Sequence, residues 1–363
     1  MIGGLGSGRS LEGTSQSGRD DSINPGRQLP SPLHNHIRKK KMIKIVFGPV
    51  PSRRLGQSLG INNIPPKICS YSCVYCQLGK TVRMQIKRER FYSLAELVEN
   101  VEARVKELKK KEEQLDYLTF VPDGEPTLDL NLGSEIKLLT PLGVRIAVIT
   151  NASLIWDAEV KKALLGANWV SLKVDAVSEE IWRKVNRPHG TLRLDAISEG
   201  MRSFSEEFEG VLATETMLIR GVNDGKDEIE RIADFLLEIS PEISYISIPT
   251  RPPAERWVEP ADEGTINMAY QIFGDRGLKA EYLIGYEGNA FASTGNVRED
   301  LLSITSVHPM REEGVDELLR KADAGWDTVE KLVNKGELVK LVYEGKRFYM
   351  RKLPGVKRER ERR

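Results

Sequence analysis

Six short apolar runs, each separated from the next by a helical pattern, constrain this chain of 363 residues more than any other feature. They are SLGIN (58–62), YLTFV (117–121), VRIAVIT (144–150), WVSLKVDA (169–176), VLATETMLI (211–219) and YISIPT (245–250). β-Branched and mostly apolar, they suit strands covered on both faces. Strands that alternate with helical crossovers pair in parallel. The pattern therefore predicts an α/β fold, a partial parallel (β/α)6 barrel of TIM type over 58–285. Loops beyond the C-terminal ends of such strands are where chemistry sits. The clearest helix is SLAELVENVEARVKELKKKEE (93–113), with Leu94, Leu97, Val98, Val101, Val105 and Leu108 on one face. Ser93 is expected to cap it and Glu96 to complete a capping box. DEIERIADFLLEI (227–239) is a second.

The flanks differ from this body. Residues 1–41 are rich in Gly, Ser, Arg and Pro and nearly lack large apolar side chains, so they read as a disordered leader. No apolar stretch there resembles a secretory signal. Met42 stands directly before IKIVFGPVPS, and the expectation is that translation starts at Met42. The core domain is assigned to 42–290. Residues 297–353 read as three short helices and a hairpin turning at Glu344-Gly345, the order of a winged helix-turn-helix. A winged-helix domain is assigned to 291–353 and a frayed charged tail to 354–363. The formal net charge of +1 excludes a globally basic nucleic-acid binder, so any basic surface is local. No run of eighteen apolar residues offers a membrane span.

Every cysteine lies in CSYSCVYC (69–76): Cys69, Cys73 and Cys76, spaced C-x3-C-x2-C. Three clustered thiols make no disulfide framework; they fit a metal site in a reducing, cytoplasmic compartment. Zinc wants a fourth ligand, and none of His34, His36, His189 and His308 lies at finger spacing. A [4Fe–4S] cluster on three cysteines leaves one iron open. A zinc site or a redox-thiol site is the alternative.

With the aromatic Tyr75 before the last cysteine, this spacing resembles the signature of the radical S-adenosylmethionine (SAM) superfamily. The resemblance implies that SAM chelates the open iron through its amino and carboxylate groups. One electron then cleaves the sulfonium, and a 5′-deoxyadenosyl radical abstracts hydrogen from a substrate. PDGEPTLD (122–129) resembles the glycine–glutamate–proline motif at the methionine end of SAM. Gly124 would let the backbone approach, and Glu125 would accept from the ammonium. Asn151, in TN after the third strand, and Ser171 and Asp175, in the fourth, resemble positions near the ribose and substrate. Asn223, in GVND (221–224), would touch the adenine edge.

Plainer roles stand beside these. Glu125 has a helix cap as its plainer role, although its strand-end place beside glycine and proline favours function; Asn151 and Asp175 serve equally as turn residues. Lys173 lies inside an apolar strand, so it is paired, faces a cavity, or acts with Asp175 as a catalytic group. Arg53 and Arg54 in PSRRLG, and RPP (251–253), either hold an anionic substrate or bridge carboxylates. His189 and His308 read as loop residues.

The segment 47–81, with PDGEPTLD, SLKVDA, TETMLIRGVND and IPTRPPAERW, is similar to a prokaryotic group related to tRNA wyosine synthase. That enzyme carries additional cysteines for a second cluster, and this chain has none. The resemblance implies a low-potential ferredoxin or flavodoxin as electron donor and an RNA substrate. Lys340, Lys346, Arg347, Arg351 and Lys352 of the wing, interleaved with Tyr343, Phe348 and Tyr349, would grip phosphates and stack on bases. The alternative is that the aromatics pack the hairpin and the cations form a solvated face. Two other functions stay open: a radical enzyme on a small molecule or peptide, and a nucleic-acid-binding cluster sensor without turnover.

Overall fold

The computed structural model describes residues 45–283, 296–307, 310–343 and 345–352. The leader, Met42, the boundary near residue 290, His308, Glu344 and the tail lie outside the described residues.

Along the chain run β1 (Val46–Ser52), β2 (Gly56–Ile61), β3 (Ile68–Cys69), β4 (Arg83–Met84), α1 (Leu94–Lys110) and β5 (Tyr117–Phe120). Then come α2 (Leu132–Leu139), β6 (Arg145–Thr150), α3 (Ala158–Leu164), β7 (Trp169–Lys173), α4 (Glu179–Asn186) and α5 (Leu194–Glu207). β8 (Val211–Met217), α6 (Lys226–Ile239), β9 (Ile243–Ser247), α7 (Glu263–Asp275) and β10 (Ala280–Leu283) complete the sheet region. The sheet has eight strands in the order β1-β2-β5-β6-β7-β8-β9-β10. All neighbours are parallel except β1, which pairs antiparallel with β2.

The six expected strands are all present, and the sheet exceeds the expected (β/α)6 by one strand at each end. GPVP in β1 carries turn-like residues that mask its strand character, and β10 is too short to show a period. β7 also ends at Lys173, which puts Asp175 in the following loop rather than in the strand. Side chains alternate across the sheet. Leu118, Phe120, Ile146, Val148, Val170, Leu172 and Ile246 join the helices in one core. Tyr117, Ala147, Trp169, Ala213, Ile243 and Tyr245 form a second core on the opposite, concave face.

α1 shows why its sequence is a helix. Leu97, Val101, Val105 and Leu108 are buried one turn apart, and Lys109 and Lys110 sit at its C-terminal end, where the helix dipole favours cations. Truncating Leu97, fully buried, to Ala would cost about 2–5 kcal/mol. Ser93 occupies the N-cap position, yet its hydroxyl makes no capping hydrogen bond, so the expected capping box is absent.

The C-terminal unit contains α8 (Val297–Val307), β11 (Met310–Arg311), α9 (Glu312–Lys321), α10 (Asp327–Asn334), β12 (Leu338–Tyr343) and β13 (Lys346–Arg351). Its antiparallel sheet, β11-β13-β12, and its helices close over their own core, which includes Leu301, Ile304, Met310, Val315, Leu318, Leu338 and Tyr349. α8 lies against β1, and Val50 of β1 packs on this second core. Phe348 and Tyr349 are buried, so they pack the hairpin and are not free to stack on bases. Lys340, Lys346 and Lys352 are exposed, Arg347 pairs with Glu312, and Arg351 donates to the Leu302 carbonyl.

Candidate active site

The cysteine loop leaves β3 beyond the C-terminal end of β2 and is held mainly by backbone bonds. Ser72 N–H donates to the Asn186 carbonyl (3.0 Å), Val74 N–H to Val185 (2.9 Å) and His189 N–H to Ser70 (2.9 Å). The segment after β9 straps the loop from above. Glu255 N–H donates to the Val74 carbonyl (3.0 Å), and the Glu255 carboxylate pairs with Lys80 and Arg187. Arg251 donates to Gln77 at 2.7 Å, so this RPP arginine serves the strap. Gly124 passes so close that a Cβ there would lie 1.8 Å from the Ile68 carbonyl oxygen, which makes glycine obligatory.

Glu125 is 1% exposed, and its side chain joins the segment after β5 to the end of β6. Its Oε1 accepts from Thr127 N–H (3.0 Å), Thr127 Oγ1 (2.7 Å) and Thr150 Oγ1 (2.6 Å); Oε2 accepts from Asn151 N–H (2.8 Å). It is thus the N-cap of the short turn Pro126–Leu128, the plainer of its two roles in sequence. Burial raises its carboxyl above the ordinary value, against the pull of these donors. The Asn151 amide donates to Ser70 Oγ at 2.9 Å and reaches Cys69 Sγ at 3.5 Å.

On the concave face a buried ion network runs toward the cysteines. Arg54, from the β1–β2 turn, meets Glu215 Oε2 at 2.6 Å, and Lys173 meets Glu215 Oε1 at 3.1 Å and Asp175 Oδ1 at 3.3 Å. Asp175 also accepts from Met217 N–H (2.9 Å), the Asn186 amide (2.7 Å) and the Tyr75 hydroxyl. The Lys173 ammonium lies 5.1 Å from the Tyr75 ring centre. Burial alone would lower Lys173, but Asp175 and Glu215 hold it above the usual lysine value. Burial opposes charge on Glu215 as well, yet Lys173 and Arg54 pull it down to about 2. Arg54 is therefore engaged with a carboxylate of the chain and not held in reserve for an anionic substrate.

Two residues assigned to SAM face the interior. Asn223 is fully buried: its Oδ1 accepts from Ile219 N–H (2.8 Å), and its amide donates to the carbonyls of Asp175 (2.8 Å) and Met217 (2.7 Å). It clips the loop after β8 with both amide hydrogens used, so its buried side chain has no donor left for an adenine edge. Ser171 is also fully buried, with its hydroxyl unpartnered. His189 sits on a loop, bonded to Thr191. Sequence reasoning missed Asn186, whose amide lies 3.4 Å from Cys73 Sγ across 113 residues of chain. It also missed Asp123, which burial pushes up to about 7 despite Lys67 and Arg351 nearby. Asn186 carries no local signal, because tertiary contacts alone set it against Cys73; Asp123 lies inside the PDGEPTLD segment, and only its burial sets it apart.

The thiols suit a highly charged soft centre. Burial and Glu125 raise Cys69, while burial and Asp175 push Cys73 up to about 12. Coordinated iron reverses that balance, since a coordinating thiol is deprotonated outright. Among the described residues, no three His, Cys, Asp or Glu side chains converge on a single-ion site. The donors present are three sulfurs with two amides turned toward them, which fits a cluster with one open iron.

A curled, mostly parallel sheet with such a loop beyond its first parallel strand defines a class. Residues 63–236 match the family model described as the Radical SAM superfamily, and the cofactors of this class are a [4Fe–4S] cluster and SAM. A UPF0026 protein of Methanocaldococcus jannaschii is 49% identical over 311 residues, which cover 85% of this chain and 96% of that protein. The chain belongs to the UPF0026 family. GTPase Obg of Brachyspira hyodysenteriae is 32% identical over 256 residues, 69% of this chain but 37% of that protein. A radical SAM methyltransferase from Sphaerobacter thermophilus superposes with a TM-score of 0.49 at 17% identity, covering 62% of this chain and 66% of that one. No helix among the described residues is long and apolar enough to cross a membrane.

Proposed function

We propose that this protein is a cytoplasmic radical SAM enzyme that abstracts hydrogen from a base of an RNA, with tRNA as the first candidate. The observation that carries the reading is the cysteine loop, with Cys69, Cys73 and Cys76 on one buried-backbone scaffold and amides turned on two of the sulfurs. The cluster and SAM supply reductive sulfonium cleavage and a 5′-deoxyadenosyl radical, with the electron drawn from a ferredoxin or flavodoxin. The chain's own residues then do the rest. Cys69, Cys73 and Cys76 hold the cluster. Glu125 is a positioning residue at the methionine end, because it fixes Asn151. Tyr75, Lys173 and Asp175 form a polar floor for the substrate, with Lys173 acting as a fixed cation rather than a base.

The C-terminal unit is assigned as a winged helix on its order of one helix, a short strand, two helices and a hairpin. Its exposed Lys340, Lys346 and Lys352 are the phosphate contacts. A radical reaction on a small molecule or peptide is the second reading. The burial of Phe348 and Tyr349 favours it, since it takes these two aromatics out of reach of an RNA base.

The test is anaerobic. Protein reconstituted with iron and sulfide is mixed with SAM, dithionite and tRNA from a strain lacking the gene. Release of 5′-deoxyadenosine by wild type but not by Cys73→Ala, increased by that tRNA, supports the proposal. Release unaffected by RNA moves the assignment to the second reading. No release from fully loaded protein, with or without RNA, refutes the enzyme.

A further inference from the structure

Two side-chain amides address two of the three cysteine sulfurs. Asn186 Nδ2 lies 3.4 Å from Cys73 Sγ, and Asn151 Nδ2 lies 3.5 Å from Cys69 Sγ. An amide nitrogen has two hydrogens. In each case an oxygen takes one: the Asp175 carboxylate at 2.7 Å for Asn186, and Ser70 Oγ at 2.9 Å for Asn151. The other hydrogen is left for sulfur.

The orientation of both amides is fixed by their partners. Asn151 Oδ1 accepts from Ser153 N–H at 2.9 Å, so its nitrogen must point the other way. An ionised carboxylate only accepts, so the group that Asn186 turns to Asp175 is its nitrogen. Both residues are anchored through the backbone as well. Asn151 N–H is held by Glu125 and the Asn186 carbonyl by Ser72. Asn186 is 3% exposed, so little water competes for its N–H.

An N–H dipole aimed at a thiolate stabilises negative charge. Reduction adds one negative charge to a cluster, so such donors favour the reduced form and raise the potential. We propose that Asn151 and Asn186 are positioning residues that set the reduction potential of the [4Fe–4S] cluster through N–H···S bonds to Cys69 and Cys73. The proposal rests on the cluster reading of the cysteine loop. Asn186 has a second consequence: the carboxylate that orients it, Asp175, also pairs with Lys173. The substrate floor and the cluster ligand therefore share one hydrogen-bonded link.

The experiment is an EPR-monitored redox titration of the reconstituted protein without SAM. The forms compared are wild type, Asn186→Leu and Asn151→Leu, with iron and sulfide counted in each. Removal of either donor is expected to lower the reduced-to-oxidised ratio at a fixed potential by about tenfold, or about 59 mV for one electron. A purely structural role would reduce the amount of cluster without moving the potential of what remains. Equal potentials in loaded variants overturn the proposal. If either variant assembles no cluster, wild type carrying side-chain 15N-labelled asparagine decides the matter by pulsed EPR of the reduced cluster. Two weakly coupled nitrogens are expected, and none overturns the proposal. Failure of wild type itself to assemble a [4Fe–4S] cluster refutes the underlying site reading instead.

Discussion

Arg54 Nη1 lies 2.6 Å from Glu215 Oε2, although 161 residues separate them in sequence. The β1–β2 turn brings Leu55 into the concave-face core and carries the guanidinium in beside it. Lys173 binds the other oxygen of the same carboxylate, so two cations and the carboxylates of Glu215 and Asp175 compensate one another away from water. Breaking a buried pair from one side is costly because the remaining charge stays buried. Lys173→Met is expected to lose about 3–5 kcal/mol in urea unfolding. Arg54→Met, which leaves Lys173 on Glu215, is expected to lose less. Equal stability of Lys173→Met and wild type would contradict the network.

The same carboxylate gives a pH signature. Glu215 is held at about 2 against an ordinary 4.5, so the folded state favours its charged form. That stability is complete above the ordinary value and is lost as pH falls from about 4.5 toward 2. Thermal melts of Glu215→Gln should show a shallower fall across this acid window than wild type, from a lower starting point at neutral pH.

Asp129 and Glu135 predict the opposite slope. Burial, and then the neighbouring Asp129, raise Glu135 so that it keeps its proton at neutral pH. A raised carboxyl is compatible with folding at low pH and costs stability as pH rises. Glu135→Gln removes that demand while keeping the volume. Its melting temperature should exceed that of wild type at pH 8, with the gain vanishing by about pH 4.

Gly124→Ala drives a methyl group into the Ile68 carbonyl, next to Cys69. The backbone must move, at a cost on the order of 3 kcal/mol. Iron bound per chain after reconstitution should drop well below that of wild type; full loading would show that the segment has slack.

Helix caps supply a matched pair. Asp157 accepts from Glu159 and Val160 N–H at the start of α3, and its replacement by Ala should cost about 1 kcal/mol. Ser93 makes no such bond. Ser93→Ala should stay within about 0.5 kcal/mol of wild type in denaturant unfolding.

The cysteines, the GEP segment and the six inner strands were legible because each is local: a spacing, a turn or a short apolar run. Asn186 was not, since an asparagine before RPHG looks like any helix end until the fold sets it against Cys73. Lys173 was flagged by its cost in an apolar strand, with Asp175 two residues on, but its other partner, Glu215, emerges only when β7 and β8 pair. Asn223 misled for the opposite reason. GVND looks like an open turn, whereas the Asn223 side chain folds back beneath it. The terminal strands escaped because β1 is interrupted by proline and glycine and β10 spans only four residues.

β1 is the last strand on its side of the sheet, and a last strand exposes unsatisfied backbone groups to any passing chain. In this protein α8 lies against that strand, and Val50 is inserted among the side chains of the C-terminal unit. A chain shortened to end before α8 would leave Val50 and this strand uncovered, and is expected to self-associate. Light scattering of the shortened chain beside wild type would read that clumping directly.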